Sequence, residues 1–330
     1  METPKNWLDL NLNKANLLFG NGLGRTYWQA FGYNSLLDIF GDQPVGRYLC
    51  TKELFSKLKT SNFEEVLRAI YHAYQVSIDN LDATKTLYID VQKALIGAVN
   101  LVHPKHSQIP NEKIAKCFCK YRSVFTTNYD LLPYWAILSG YTHVLVDFFW
   151  SNQAFDLRDV ELHEGKIPVY FLHGALHLRS KSISDTQKIP ITLESEVNGA
   201  LKLDFDQSFP LFITEGSSEQ KLNRIKANSY LNFCYESLFN TNGELDIYGH
   251  ELNKDFDNHI INAIRQSNNT RIVVSVFSEL SMAEKNLFMG RIRSLFSDQN
   301  KKIDFYESNT HPFATAAPKG LEHTWLSFSE

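Results

Sequence analysis

Between Asn16 and Tyr306, short apolar runs of strand length alternate with segments of helical period. The first run, Asn16-Leu17-Leu18-Phe19, ends in Gly20-Asn21-Gly22-Leu23-Gly24-Arg25, a glycine-rich turn. Further strands are expected at Arg122–Thr126, Val144–Phe149, Val169–Leu172, Leu211–Thr214, Leu245–Tyr248, Arg271–Phe277 and Ile303–Tyr306. Helices are expected over Leu131–Leu138, from about Ser217 or Ser218 to Phe239, over Asp255–Arg265, and over Met282–Leu295. This alternation predicts an α/β fold: a doubly wound, mostly parallel Rossmann-like sheet covered on both faces. Ligands of such sheets bind outside the carboxyl ends of the strands, so the residues just after each run are the candidates.

From Ser35 onward the period becomes helical, as in Phe63-Glu64-Glu65-Val66-Leu67-Arg68-Ala69-Ile70 and from Val91 to Val102. The expectation is one domain over residues 1–330, with a helical insertion at about 35–115 and a polar tail from about 309. The segment from Ser180 to Lys188 and that tail read as loops. With 43% hydrophobic residues the chain can build a large core. Its net charge of −4 gives no basic field for nucleic acid. Cys50, Cys117, Cys119 and Cys234 form no pair of Cys-x-x-Cys knuckles, so neither a zinc ribbon nor a bound metal is expected. No basic-then-apolar leader opens the chain, and no apolar stretch nears the ~18 residues of a membrane span. A cytoplasmic protein without membrane contact is the expectation.

At the strand ends, Gly20, Asn21 and Gly22 would let backbone approach a pyrophosphate, with Arg25 adding charge. Thr126-Thr127-Asn128-Tyr129-Asp130 brings an amide and a carboxylate to one strand end. These suit a carboxamide ring and a positioned water; the alternative is helix capping. His173, followed by Gly174, offers a base near neutral pH, or a satisfied structural histidine. His177, four residues on, reads as packing. Gly249 and His250, and likewise Gly216 and Ser217, form turns able to hold the rest of a nucleotide, or mere strand–helix punctuation.

Taken in order, these segments resemble the sirtuin superfamily, and more closely the sirtuin-like proteins of bacterial antiviral defence. Thr126-Thr127-Asn128-Tyr129-Asp130 is similar to the family's Thr-Gln-Asn-Ile-Asp, His173-Gly174 to its His-Gly pair, and Gly249-His250-Glu251-Leu252 to its Gly-x-Ser-Leu turn. The resemblance implies NAD+ as substrate. Asn128 would position the attacking water or the ribose, Asp130 would hold the nicotinamide end, and His173 would act as base. Thr127 departs from the family glutamine, and the missing cysteine knuckles disfavour peptide deacylation.

The expectation is therefore a NAD+ hydrolase that yields nicotinamide and ADP-ribose, a NAD-depleting effector of anti-phage defence. It would be held in check by homo-oligomerisation or by a regulatory or sensor partner. A non-catalytic NAD or ADP-ribose sensor is the alternative, and ADP-ribosyl or acyl transfer onto protein a third reading.

Overall fold

Asn16–Phe19 forms β1, a strand buried along its whole length, and it is the centre of the molecule. Its neighbours are β4 (Ser123–Thr126) on one side and β10 (Asn242–Tyr248) on the other, both parallel to it. The computed structural model describes residues 3–28, 42, 44–46, 49–60, 63–76, 79–149, 153–180, 185–189, 209–213 and 217–316. Beyond β4 lie β6 (Ile167–Phe171) and the edge strand β5 (Leu145–Val146); beyond β10 lie β11 (Asn268–Val276) and β12 (Lys302–Glu307). The sheet has seven parallel strands in the order β12-β11-β10-β1-β4-β6-β5. Strands covered on both faces need apolar side chains on both, which is why they read as unbroken apolar runs. The chain builds one half outward from β1, then crosses back to build the other. β1 is therefore where the order reverses, the place where doubly wound sheets open toward ligands.

The helices form where caps and apolar spacing permit. Among the described residues, in chain order, they are α1 (Gly22–Tyr27), α2 (Thr51–Lys57), α3 (Phe63–Val76), α4 (Leu81–Val102), α5 (Asn111–Phe118) and α6 (Leu132–Leu138). These are followed by α7 (Ser218–Ala227), α8 (Ser229–Phe239), α9 (Lys254–Gln266), α10 (Met282–Leu295) and α11 (Pro312–Ala316). Capping boxes start α7 (Ser217 with Gln220) and α10 (Ser281 with Glu284), each worth about 1 kcal/mol.

Several expectations need correction. The run from Leu211 to Ile213 is not part of the parallel sheet, and Thr214 lies outside the described residues. Phe209–Phe212 (β9) pairs antiparallel with β7 (Gly174–Ser180), which also pairs with β8 (Gln187–Lys188), and together they make a separate three-stranded sheet. Gly174, at φ +74°, turns the chain from β6 into β7, and a Cβ there would lie 2.1 Å from the Leu211 carbonyl oxygen. The strand expected at Val144–Phe149 keeps only Leu145–Val146, because Phe148 takes a φ of +68°. The helix expected to run to Phe239 is two helices. Asn228 is extended between them, and its side chain accepts the Leu231 N–H to cap the second. A small hairpin, β2 (Pro44–Val45) with β3 (Leu49–Cys50), accompanies the insertion helices. The insertion covers the small sheet: the Tyr71 ring stands edge-on to Phe209 at 5.3 Å, and the Arg68 guanidinium lies over that ring at 4.7 Å.

The start of the polar tail is also built in, since His311 and Phe313 are fully buried. The reason is Asp246, a carboxylate set in the middle of β10 with no solvent exposure. It accepts hydrogen bonds from Trp7 Nε1 (2.8 Å), Tyr121 Oη (2.8 Å) and Tyr306 Oη (2.7 Å), with His311 Nε2 at 3.4 Å. A buried carboxylate is tolerable only when donors surround it in this way.

Candidate functional site

Four strand ends lie side by side along the carboxyl edge in the order β10, β1, β4, β6, and the singled-out segments follow them. At β1 and β10 the two glycine turns pack backbone to backbone. A Cβ on Gly22 would lie 2.4 Å from the Gly249 Cα, and the Gly22 N–H donates to the Gly249 carbonyl at 2.8 Å. Glycine is required here because the loops touch. The Gly20 and Leu23 amides also donate within the protein, to Tyr248 and Gly20 carbonyls. The expected row of free amides for a phosphate is therefore largely committed, and Asn21 and Arg25 are the exposed polar side chains of this turn. His250 is buried, and its Nδ1 accepts the Leu252 N–H at 3.0 Å. A cavity of about 260 Å³, lined in part by Glu251, Lys254 and Arg291, opens beside this second turn.

At the end of β4, the buried Thr126 hydroxyl accepts the Asn128 N–H at 2.9 Å and Thr127 N–H donates to Phe19. Asp130 Oδ1 accepts the Leu132 N–H at 2.9 Å at the start of α6. Asp130 thus supports the helix start from the position before its cap residue, Leu131, which itself makes no side-chain cap bond. Burial pushes the Asp130 carboxyl up to about 6, against the opposing pull of the Leu132 N–H and the nearby Asn128 amide. That approach falls short of hydrogen-bond geometry, so Asn128 Nδ2 is buried and at best poorly satisfied by Asp130. A buried orphan N–H costs about 1–3 kcal/mol, so its retention calls for a reason. His103, at the end of α4, supports the loop from below, its Nε2 accepting the Leu131 N–H at 3.0 Å.

At the end of β6, His173 is buried and shares a 2.9 Å hydrogen bond between its Nε2 and His259 Nε2. His259 Nδ1 in turn is 2.9 Å from Ser218 Oγ, which also accepts the His259 backbone N–H at 2.7 Å. Asp257, two residues before, departs from helical geometry (φ −128°, ψ 16°) and kinks α9 at this point. Burial, then the charges of Lys221, His259 and His250, hold His173 well below the usual imidazole range, with the Thr127 backbone opposing. Burial likewise lowers His259 to about 4. Lys221 and Asp257, 3.8 Å apart, flank the pair. His177 lies apart, stacked on Tyr134 at 4.1 Å, in keeping with packing.

Sequence reasoning singled out Asn128, Asp130 and His173 and took in Ser218 only as the last residue of a turn from 214 to 218; it did not name His259 or His103. Ser217 is the cap of α7, its hydroxyl accepting the Gln220 N–H, while Gly216 lies outside the described residues. Among the described residues no group of three or more His, Cys, Asp and Glu side chains is placed to hold a metal ion. No helix among them is long and apolar enough to cross a membrane.

Fold and edge together define a doubly wound α/β protein whose buried polar groups Asn128, Asp130, His173 and His250 gather at the carboxyl ends of the central strands. A family described as a domain of unknown function, DUF4917, matches residues 17–313, and the chain belongs to it. No curated protein matches the chain.

Proposed function

We propose that this protein is a sirtuin-like NAD+ hydrolase that splits the nicotinamide–ribose bond to give nicotinamide and ADP-ribose. The observation that carries the reading is Asn128 Nδ2, buried without a hydrogen bond of full geometry beside a carboxyl raised to about 6 and one strand from His173. An orphan donor next to a buried carboxyl suits a ligand with both acceptor and donor groups, as a carboxamide has. In this reading Asp130 accepts from the carboxamide, Asn128 orients the water or the ribose, and His173 receives the proton of the attacking water. The bond broken leaves a neutral nicotinamide and transient positive charge on the ribose, which the Asp130 carboxylate stabilises. The turns Gly20–Gly22 and Gly249–His250 would hold the nucleotide, Asn21 and Arg25 lying on the exposed side. A NAD-depleting role in anti-phage defence belongs to the same proposal. So do a cytoplasmic location and control through self-assembly or a sensor partner.

The test is chromatographic detection of nicotinamide and ADP-ribose from NAD+ with the purified chain over a range of protein concentrations. Asn128→Ala and His173→Ala should each lower turnover at least a hundredfold. Normal turnover in both removes the assignment. A non-catalytic NAD or ADP-ribose sensor is the second reading, favoured by the engagement of His173 Nε2 with His259. Calorimetric binding of NAD+ with background nicotinamide release at every concentration would select it.

A further inference from the structure

We propose that the buried Arg179 guanidinium is a binding site for a small carboxylate, held by its Nε and Nη2 edge between the small sheet and the insertion helices. The site lies outside the carboxyl edge and does not rest on the hydrolase reading. Arg179 belongs to β7 and is 1% exposed. Its Nη1 donates to the Leu176 and Leu178 carbonyls at 2.8 and 2.7 Å, which pins the guanidinium against its own strand. Nε and Nη2 are buried and have no hydrogen-bond partner. Tyr88 of α4 lies within range of the charge, and no carboxylate among the described residues pairs with it. Burial pushes the guanidinium down to about 9, with Tyr88 opposing.

Other poorly exposed cations show what is missing. Lys188 pairs with Asp147, Lys285 with Glu307, and Arg271 with both Glu244 and Asp304. Arg179 is more deeply buried than any of these and stands without an anion. A lone buried charge is far costlier than a buried hydrogen-bonding group, so an anion belongs beside it. The Nε–H and Nη2–H bonds of a guanidinium run parallel, and a carboxylate is the planar group with two oxygens that meets both. One fork carries one positive charge, which matches a carboxylate better than a doubly charged phosphate. Water would occupy the two donors and leave the charge uncompensated. His177, two residues earlier, is also fully buried with both ring nitrogens unpartnered, and Arg179 is among the charges that disfavour its protonation. Two neighbouring polar groups thus lack an occupant.

The experiment titrates formate, acetate and inorganic phosphate, each in exchange for chloride at constant ionic strength, into the full chain isotope-labelled at arginine. NMR follows the Arg179 Nε–H resonance, assigned by its loss in Arg179→Met. Methionine replaces a buried charge by an apolar chain of similar length, a change that cores commonly accept. If Arg179→Met does not fold, Arg179→Lys supplies the assignment. Formate or acetate should shift the resonance and saturate at one anion per chain, with a Kd of about a millimolar, as suits a ligand of so few atoms. Calorimetric acetate binding should weaken at least about tenfold in Arg179→Met. An unmoved resonance with both carboxylates overturns the proposal, and is the result expected if waters or a carboxylate elsewhere in the chain satisfy the fork. Undiminished binding to Arg179→Met overturns it too, as does phosphate binding in preference to both carboxylates.

Discussion

Asp130→Asn should make the protein more stable at alkaline pH while abolishing the NAD+ turnover proposed for it. The carboxyl is fully buried and raised from an ordinary 3.8 to about 6, so the folded state prefers it protonated. That preference corresponds to about 3 kcal/mol of folding free energy. For an acid with a raised folded pKa, the contribution is complete below pH 4 and is lost as the pH rises through about 6. Integrating the linkage relation, about half of the loss falls between pH 5 and pH 8. Asparagine has the same shape, and its side-chain oxygen can keep the 2.9 Å hydrogen bond from the Leu132 N–H, so the cap of α6 survives. Urea denaturation of both proteins at pH 5 and pH 8 measures the effect. The stability of the variant relative to wild type should rise by about 1–2 kcal/mol between the two pH values. A gap that stays constant within about 0.5 kcal/mol, or that moves the other way, would refute the argument that burial strains this carboxyl. Stability gained with activity lost is the pattern expected of a group kept for chemistry.

Gly174→Ala meets both a φ of +74° and the Leu211 carbonyl, and should cost at least about 3 kcal/mol in urea denaturation; a loss under about 1 kcal/mol would mean that β7 and β9 are not held at this corner. Asp246→Ala leaves the Trp7 indole and the Tyr121 and Tyr306 hydroxyls facing a void, and should cost about 3–5 kcal/mol, with a shift of Trp7 fluorescence. Near wild-type stability would show that these donors find other partners.

The parallel sheet was legible because strands buried on both faces leave unbroken apolar runs, and β11 with its Ile272-Val273-Val274 core is the clearest case. The strand ends were legible for a related reason: glycine and small polar residues stand where the chain must leave the sheet, as at Gly20 and Asn128. What escaped depends on partners distant in sequence. Leu211–Phe212 reads as apolar strand whichever sheet it joins, and only its pairing with β7 decides. Ser218 and His259 sit on different helices, 41 residues apart, so no spacing links them. One signal was present in His259 itself, which stands beside Ile260 on the buried side of α9 where a polar ring needs a partner. Asp246, alone among Leu245, Ile247 and Tyr248, gave a similar warning that donors must surround it.

The place of β1 has a consequence for how the molecule is made. Asn16 pairs with Ser123 on one flank and with Leu245 on the other, so β1 is enclosed only once both β4 and the much later β10 are in place. Loop closure over such separations is slow, and an unpaired apolar strand is open to misassociation while it waits. The early helices α2 to α4 can form from local contacts in the meantime. Completion of the central sheet, and with it the alignment of Asn128, His173 and the two glycine turns, is tied to the arrival of β10. Nascent chains that lack β10 would thus lack the assembled edge on which the proposed reading depends.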